Sequence, residues 1–206
     1  MIHVVDIETT GLNQWSNEIL TCAIVTLDND LKEVERNEFR RKPECIAQWS
    51  RDAEEVHKIT IEQAITFDSG KVFRKNLKEY LLSFGQDSVF VCHSYPMFGK
   101  LDLIDYQFIF SEFNRLGDHW WLYKKFPRGN ILSTISRRNI YPVESQKLNV
   151  WAEFLKIELD HHDAMSDALA CAEVFRWQQR NVGSEKGDRE GNRRSDFGLF
   201  RSATTG

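Results

Sequence analysis

The sequence predicts an α/β domain with a mixed central sheet, antiparallel at its start and parallel further on, and helices packed on its faces. Three observations predict it. The first forty residues read as a meander of strands, the continuous apolar run SVFVCHS at 88–94 reads as a buried strand, and helical periodicity fills most of the chain between and after them.

In order, IHVVDIE, EILTCAIVTLD and VERNEFRR are the meander strands, with a tight turn near Asp28, Asn29 and Asp30 joining the second to the third. After Pro43 the pattern becomes helical. SRDAEEVHKI is followed by a segment that Thr60 opens, with Gln63 completing a capping box, and then by SGKVFRKNLKEYLLSFG. Beyond the buried strand, LDLIDYQFIFSEFNRLG is an amphipathic helix. HWWLYKKF reads as an edge strand, ILSTISRR and LNVWAEFLKI as short helices, and HDAMSDALACAEVFRWQQRN as a long helix starting near Ala164. Five of the eleven glycines fall in the last 24 residues, among mixed charges and few apolar groups. Residues 1–182 are therefore expected to form one domain and 183–206 a disordered tail.

A chain of 206 residues that is 41% hydrophobic can bury one substantial core. Cys22, Cys45, Cys92 and Cys171 form no C-x-x-C pair and no zinc spacing, so reduced thiols in a cytoplasmic protein are expected. No basic-then-apolar leader opens the sequence, and no run reaches the roughly 18 apolar residues of a membrane span. A net charge of −4 argues against holding nucleic acid by bulk electrostatics. It leaves room for an enzyme that engages a few nucleotides. The basic clusters Arg40-Arg41-Lys42, Lys124-Lys125-Arg128 and Arg137-Arg138 carry little weight alone.

The chemistry lies in carboxylates that interrupt apolar rows. On a strand, Ile2, Val4, Asp6 and Glu8 share a face, so two acids continue a core row. A lone D-x-E would be a solvated strand end. In the last helix the apolar stripe is Ala164, Ala168, Cys171, Ala172 and Phe175, and Asp167 lies on its flank. An ion pair with an arginine is the plain alternative there. In the helix after the buried strand, Leu101, Ile104, Phe108, Ile109 and Leu116 form one face with Asp105 near its centre, Asp102 to one side and Glu112 nearby. Inward acids with few bases close in sequence suggest hard divalent cations, which take oxygen ligands and support phosphodiester hydrolysis. His162 stands where a general base is needed, with His161 as competitor.

VVDIETTGL, VHKIT, FVCHS with LIDYQFI, and HHDAMSDA together resemble the DEDD exonucleases of the histidine-containing class, the group of the DNA polymerase III epsilon proofreading subunit and RNase T. The resemblance runs from about residue 2 to 178. It implies a ribonuclease H-like fold and a 3′–5′ exonuclease that uses two Mg²⁺ or Mn²⁺ ions to release nucleoside 5′-monophosphates from 3′ ends. The expected partner is DNA, single strands preferred, with no membrane; short RNAs are the alternative substrate, and a non-catalytic nucleic-acid-binding subunit is the less favoured reading. Position by position, the resemblance makes Asp6, Glu8 and Asp167 metal ligands and His162 the base, and between Asp102 and Asp105 the D-Y-Q-F-I match and the buried face select Asp105 as the remaining ligand. Thr9, Thr10, Gly11, Leu12, His57, Ile59, His93 and Ser94 become substrate-binding residues. The chain departs from the pattern twice: Lys58 replaces a glycine, and extra residues separate His93-Ser94 from Asp105.

Overall fold

The computed structural model describes residues 1–94, 103–136 and 143–181. Its strands are β1 (Ile2–Thr9), β2 (Ile19–Leu27), β3 (Glu33–Arg40), β4 (Val89–Cys92) and β5 (Ile131–Ser133); its helices are α1 (Arg51–His57), α2 (Ile61–Ala64), α3 (Gly70–Ser83), α4 (Ile104–Asn114), α5 (Trp120–Lys125), α6 (Leu148–Leu155) and α7 (Ala164–Asn181). The five strands form one sheet in the order β3-β2-β1-β4-β5. β1, β2 and β3 pair antiparallel, while β4 joins β1 in parallel and β5 joins β4 in parallel.

The expected alternation along β1 divides two cores. Val5 packs with Cys22, Ile24 and the α3 and α4 residues Phe73, Leu77, Phe108 and Ile109. Ile2 and Val4 face the other way, onto Ala164, Ala168, Cys171, Ala172 and Phe175 of α7. That is the stripe expected for α7, and its alanines let the helix lie close to the sheet. Trp151 of α6 fills the far side of α7 against Ala170 and Val174. The turn between β2 and β3 is organised by Asp28, whose carboxylate accepts from the Asp30 and Lys32 amides at 2.9 Å. The Thr60–Gln63 capping box is present at α2.

Two expected elements are exchanged. HWWLYKKF contains α5 rather than an edge strand, because Leu122, Lys125 and Phe126, at helical spacings of three and four, are the ones that bury, whereas Trp120 is 69% exposed. The edge strand is β5, inside the segment read as a helix. Three residues are too few to show a period, and a 3-10 turn, Thr134–Ser136, comes at once after them. Leu116 is exposed because α4 has already ended at Asn114. The expected disordered tail, together with Leu101, Asp102, Arg137 and Arg138, lies outside the described residues. The four cysteines are free, and no described helix is long and apolar enough to cross a membrane.

Candidate active site

The carboxyl end of β1 carries Asp6 and Glu8 on the α7 face of the sheet. A bulge lies immediately beyond them: Glu8 pairs with Thr21 but Thr9 with Ile19, so Leu20 is the extra residue. Bulges bend a strand and re-aim the residues next to them. Here the chain turns into the Thr10–Gly11–Leu12 loop, pinned where the Thr10 amide donates to the Glu18 carbonyl and the Glu18 amide donates to Thr10 Oγ1. Gly11 leaves room for the Asn17 side chain, which a Cβ there would meet at 2.7 Å and push aside. Thr9 donates its hydroxyl to the Gly11 carbonyl at 2.7 Å, and Leu12 projects with 80% exposure.

α7 brings the third acid. Asp163 caps its first turn by accepting from the Ser166 amide, and Asp167, 5% exposed, points back toward the strand. Asp6, Glu8 and Asp167 each offer a carboxylate oxygen, and these atoms lie within 4.8 Å of one another. Asp105 arrives from the opposite face, in the first turn of α4, and is also buried. Burial first, and then the charges of neighbouring acids that include Asp105 and Asp167, push the Asp6 carboxyl well up and Glu8 up to about 8. Burial also raises Asp105, against hydrogen bonds from Ser94 and the Ile7 backbone, and raises Asp167, against the His162 amide and the His161 ring.

The contrast with other buried acids is the informative one. Glu18 and Glu112 are equally buried but hold Arg41 between them at 2.8 and 3.1 Å, and Arg74 adds a 2.7 Å contact to Glu112. Asp6, Glu8 and Asp105 face no arginine or lysine among the described residues, and Asp167 has only a histidine. An oxygen donor set without a cation fits a hard divalent ion and is otherwise costly.

The histidines divide their work. His161 Nδ1 lies 3.2 Å from the Asp167 carboxylate, whereas His162 reaches Asp167 through its backbone amide at 3.1 Å. The two rings stack with centroids 3.9 Å apart, and His162 takes φ +73°, a left-handed backbone that non-glycine residues rarely adopt. Burial and the neighbouring His161 lower the His162 pKa. His57 ends α1 with its Nδ1 accepting from the Ile59 amide at 3.0 Å. Lys58 comes next at φ +60°, the left-handed cap a glycine would supply, so the loop keeps its glycine-type course. His93 and Ser94 are occupied within the protein. His93 donates from Nε2 to the Gln146 carbonyl at 2.8 Å and meets the Thr134 hydroxyl at 2.6 Å, while Ser94 bonds Asp105.

A cleft of about 710 Å³ opens beside these groups, lined by Glu8, His57, Ile59 and His162 and extending to Thr21 and Arg40. Thr21 carries no signal in the sequence and Arg40 only its place in a basic cluster; strand register places them there.

Residues 3–175 match the RNase T family, described as exonuclease. The chain belongs to that exonuclease family. Its members are phosphodiester hydrolases, and the four acids with an adjacent histidine lie inside the matched span. The chain is 29% identical over 177 residues to a PolC-type DNA polymerase III from Caldanaerobacter subterraneus subsp. tengcongensis, spanning 84% of this chain and 11% of the polymerase. The fold superimposes on Escherichia coli exonuclease I bound to a dT13 oligonucleotide with TM-score 0.71 at 16% identity, covering 87% of this chain and 41% of that one. A product-bound exonuclease I gives 0.70 at 15% identity, over 88% and 43% of the two chains. This exonuclease-family chain therefore spans about two fifths of those structures and about a tenth of the polymerase. The likeness confirms the ribonuclease H-like arrangement of sheet and helices.

Proposed function

We propose that the chain is a divalent-metal-dependent 3′–5′ exonuclease that removes nucleoside 5′-monophosphates from single-stranded DNA ends. The observation that carries this reading is the convergence of Asp6, Glu8, Asp105 and Asp167, with no arginine or lysine beside them among the described residues and only the His161 ring near Asp167. Two Mg²⁺ or Mn²⁺ ions held there would activate a water and stabilise the leaving oxygen. His162 would take the proton of that water; burial and the neighbouring His161 lower its pKa and so disfavour the charged ring. The loop from Thr9 to Leu12 and the His57–Ile59 turn cradle the terminal nucleotide, with Leu12 exposed to meet its base. Ser94 and His93 act behind Asp105, fixing it and the chain after β5. DNA is favoured over RNA by the relatives, a DNA polymerase and an exonuclease bound to a dT13 oligonucleotide.

End-labelled DNA and RNA single strands incubated with Mn²⁺ test this. DNA should shorten stepwise from the 3′ end, EDTA should stop it, and a circular single strand should survive. Faster trimming of RNA would move the substrate class, and cutting in EDTA would remove the metal reading.

A further inference from the structure

Residues paired across antiparallel strands present their side chains on one face. Glu8 pairs with Thr21 and Thr21 with Arg40, so these three form a row across β1, β2 and β3 on the face that holds the acids. With strands about 4.8 Å apart, the Arg40 backbone stands roughly 10 Å from that of Glu8. All three residues line the same cleft, together with Gln63, Phe67 and His162.

Each position beyond Glu8 is prepared for a polar ligand. Thr21 is 4% exposed, and among the described residues its hydroxyl has no hydrogen-bond partner. Folding usually pairs a buried hydroxyl, so an orphan on a cleft floor marks a place where something else completes the bond. Arg40 is held from two sides: its Nε donates to Glu38 at 2.5 Å, and its guanidinium lies over the half-buried Phe67 ring at 5.6 Å. Among the described residues its Nη groups bond nothing, which leaves a planar donor edge half exposed and open to the cleft. Glu38 and Glu62 also line the cleft, so the lining selects for a phosphate brought in by a larger ligand over a free anion.

We propose that the Thr21–Arg40 row is a subsite for the nucleotide next to the scissile phosphate, Arg40 binding its phosphate, Thr21 a sugar or phosphate oxygen, and Phe67 its base. This rests on the nuclease reading and names the path the strand takes away from the acids. It assigns a binding role to three residues outside the segments that carry the family resemblance.

Two substrates and one binding assay test it, with Arg40→Ala and Thr21→Val. The p-nitrophenyl ester of thymidine 5′-monophosphate carries the scissile phosphate and no second one; a dT oligonucleotide carries both. The ratio of kcat/KM on oligonucleotide to that on ester should fall at least fivefold in each variant. Anisotropy of a labelled dT oligonucleotide in Ca²⁺ should show weaker binding, and Arg40→Ala should reduce the slope of log affinity against log salt by about 0.7, the value of one phosphate contact on a single strand. Thr21→Val should melt no lower than wild type, since it removes no bond. Equal losses on both substrates, or unaltered oligonucleotide affinity in both variants, would overturn the subsite. A wild-type chain that binds the oligonucleotide but cuts neither substrate would sink the nuclease reading alone, and the anisotropy of the variants would still decide the row.

Discussion

His161 and His162 sit in contact, ring on ring, yet their bonds to Asp167 differ in kind: one uses its imidazole, the other its amide. A ring whose nitrogen is engaged by a carboxylate orients that carboxylate; a ring left to the cleft can accept a proton. His162→Ala should therefore lower turnover roughly 10²–10⁴-fold, and His161→Ala should cost much less, as steady-state rates in Mn²⁺ would show. A reversed ranking would make His161 the base. A third histidine governs acid stability. His3 is fully buried beside Phe84 and Phe126, and burial, then the charge of Lys125, hold its pKa down at about 3 against 6.5 for a free ring. Below pH 6.5 the unfolded chain binds a proton that the folded chain refuses. The stability this neutral ring permits is thus whole above 6.5 and falls with pH toward 3, by about 1.4 kcal/mol per unit. Urea unfolding between pH 4 and 8 should show that slope in the difference between wild type and His3→Gln, because the raised site carboxyls, which oppose it, and His93, lowered to about 4 by burial, act alike in both.

At the scale of elements, α4 is anchored at both ends by charge of opposite fortune. Its first turn aims Asp105 at the other acids, and two turns later Glu112 closes on Arg41 and Arg74. Asp105→Asn should abolish cleavage and weaken Mn²⁺ binding, whereas Asp102→Asn should retain most activity; metal titration with nuclease assays would separate them. Glu112→Gln should destabilise by about 1.5–3 kcal/mol in urea, since buried Arg41 loses one carboxylate partner and keeps Glu18. Much of this was legible in the sequence. The β1 acids announced themselves by breaking a period of two, and α7 by a stripe of alanines that its packing reproduces. The exchange of α5 and β5 was not legible, because tryptophan and tyrosine suit strands by propensity and only tertiary burial of Leu122 and Phe126 decides for a helix. The Glu112 pairing was hidden too, since its arginines lie 71 and 38 residues away.

For the whole molecule, the site is a meeting of both faces of the sheet. Residues from α4 on one face and α7 on the other converge at the end of β1, so ligand binding there should hold the two layers together. Mg²⁺ or Mn²⁺ at about a hundred times its Kd should raise the melting temperature by about 5–10 °C. Asp6→Asn should melt higher than wild type in EDTA, through lost repulsion, and should lose the metal-dependent rise. Differential scanning with and without metal would read both effects. Register explains why the cleft was only half visible beforehand: Glu8 belongs to a motif, but Thr21 and Arg40 join it solely through pairing across two strands.

The central strand is also the earliest in the chain. β1 can pair with β2 and β3 through short turns, but its other edge waits for β4, about eighty residues later, and its acids wait for Asp167 on the last helix. Local pairings form quickly, whereas parallel closure across long separations is slow. As the chain is synthesised, the meander can therefore assemble long before it can hold a metal. On the proposed reading the half of the sheet that forms first is inert, and the capacity to cut would arrive only when α7 docks. Metal affinity would then be a kinetic marker for that docking, and a chain stopped before Ala164 should leave nucleic acid untouched.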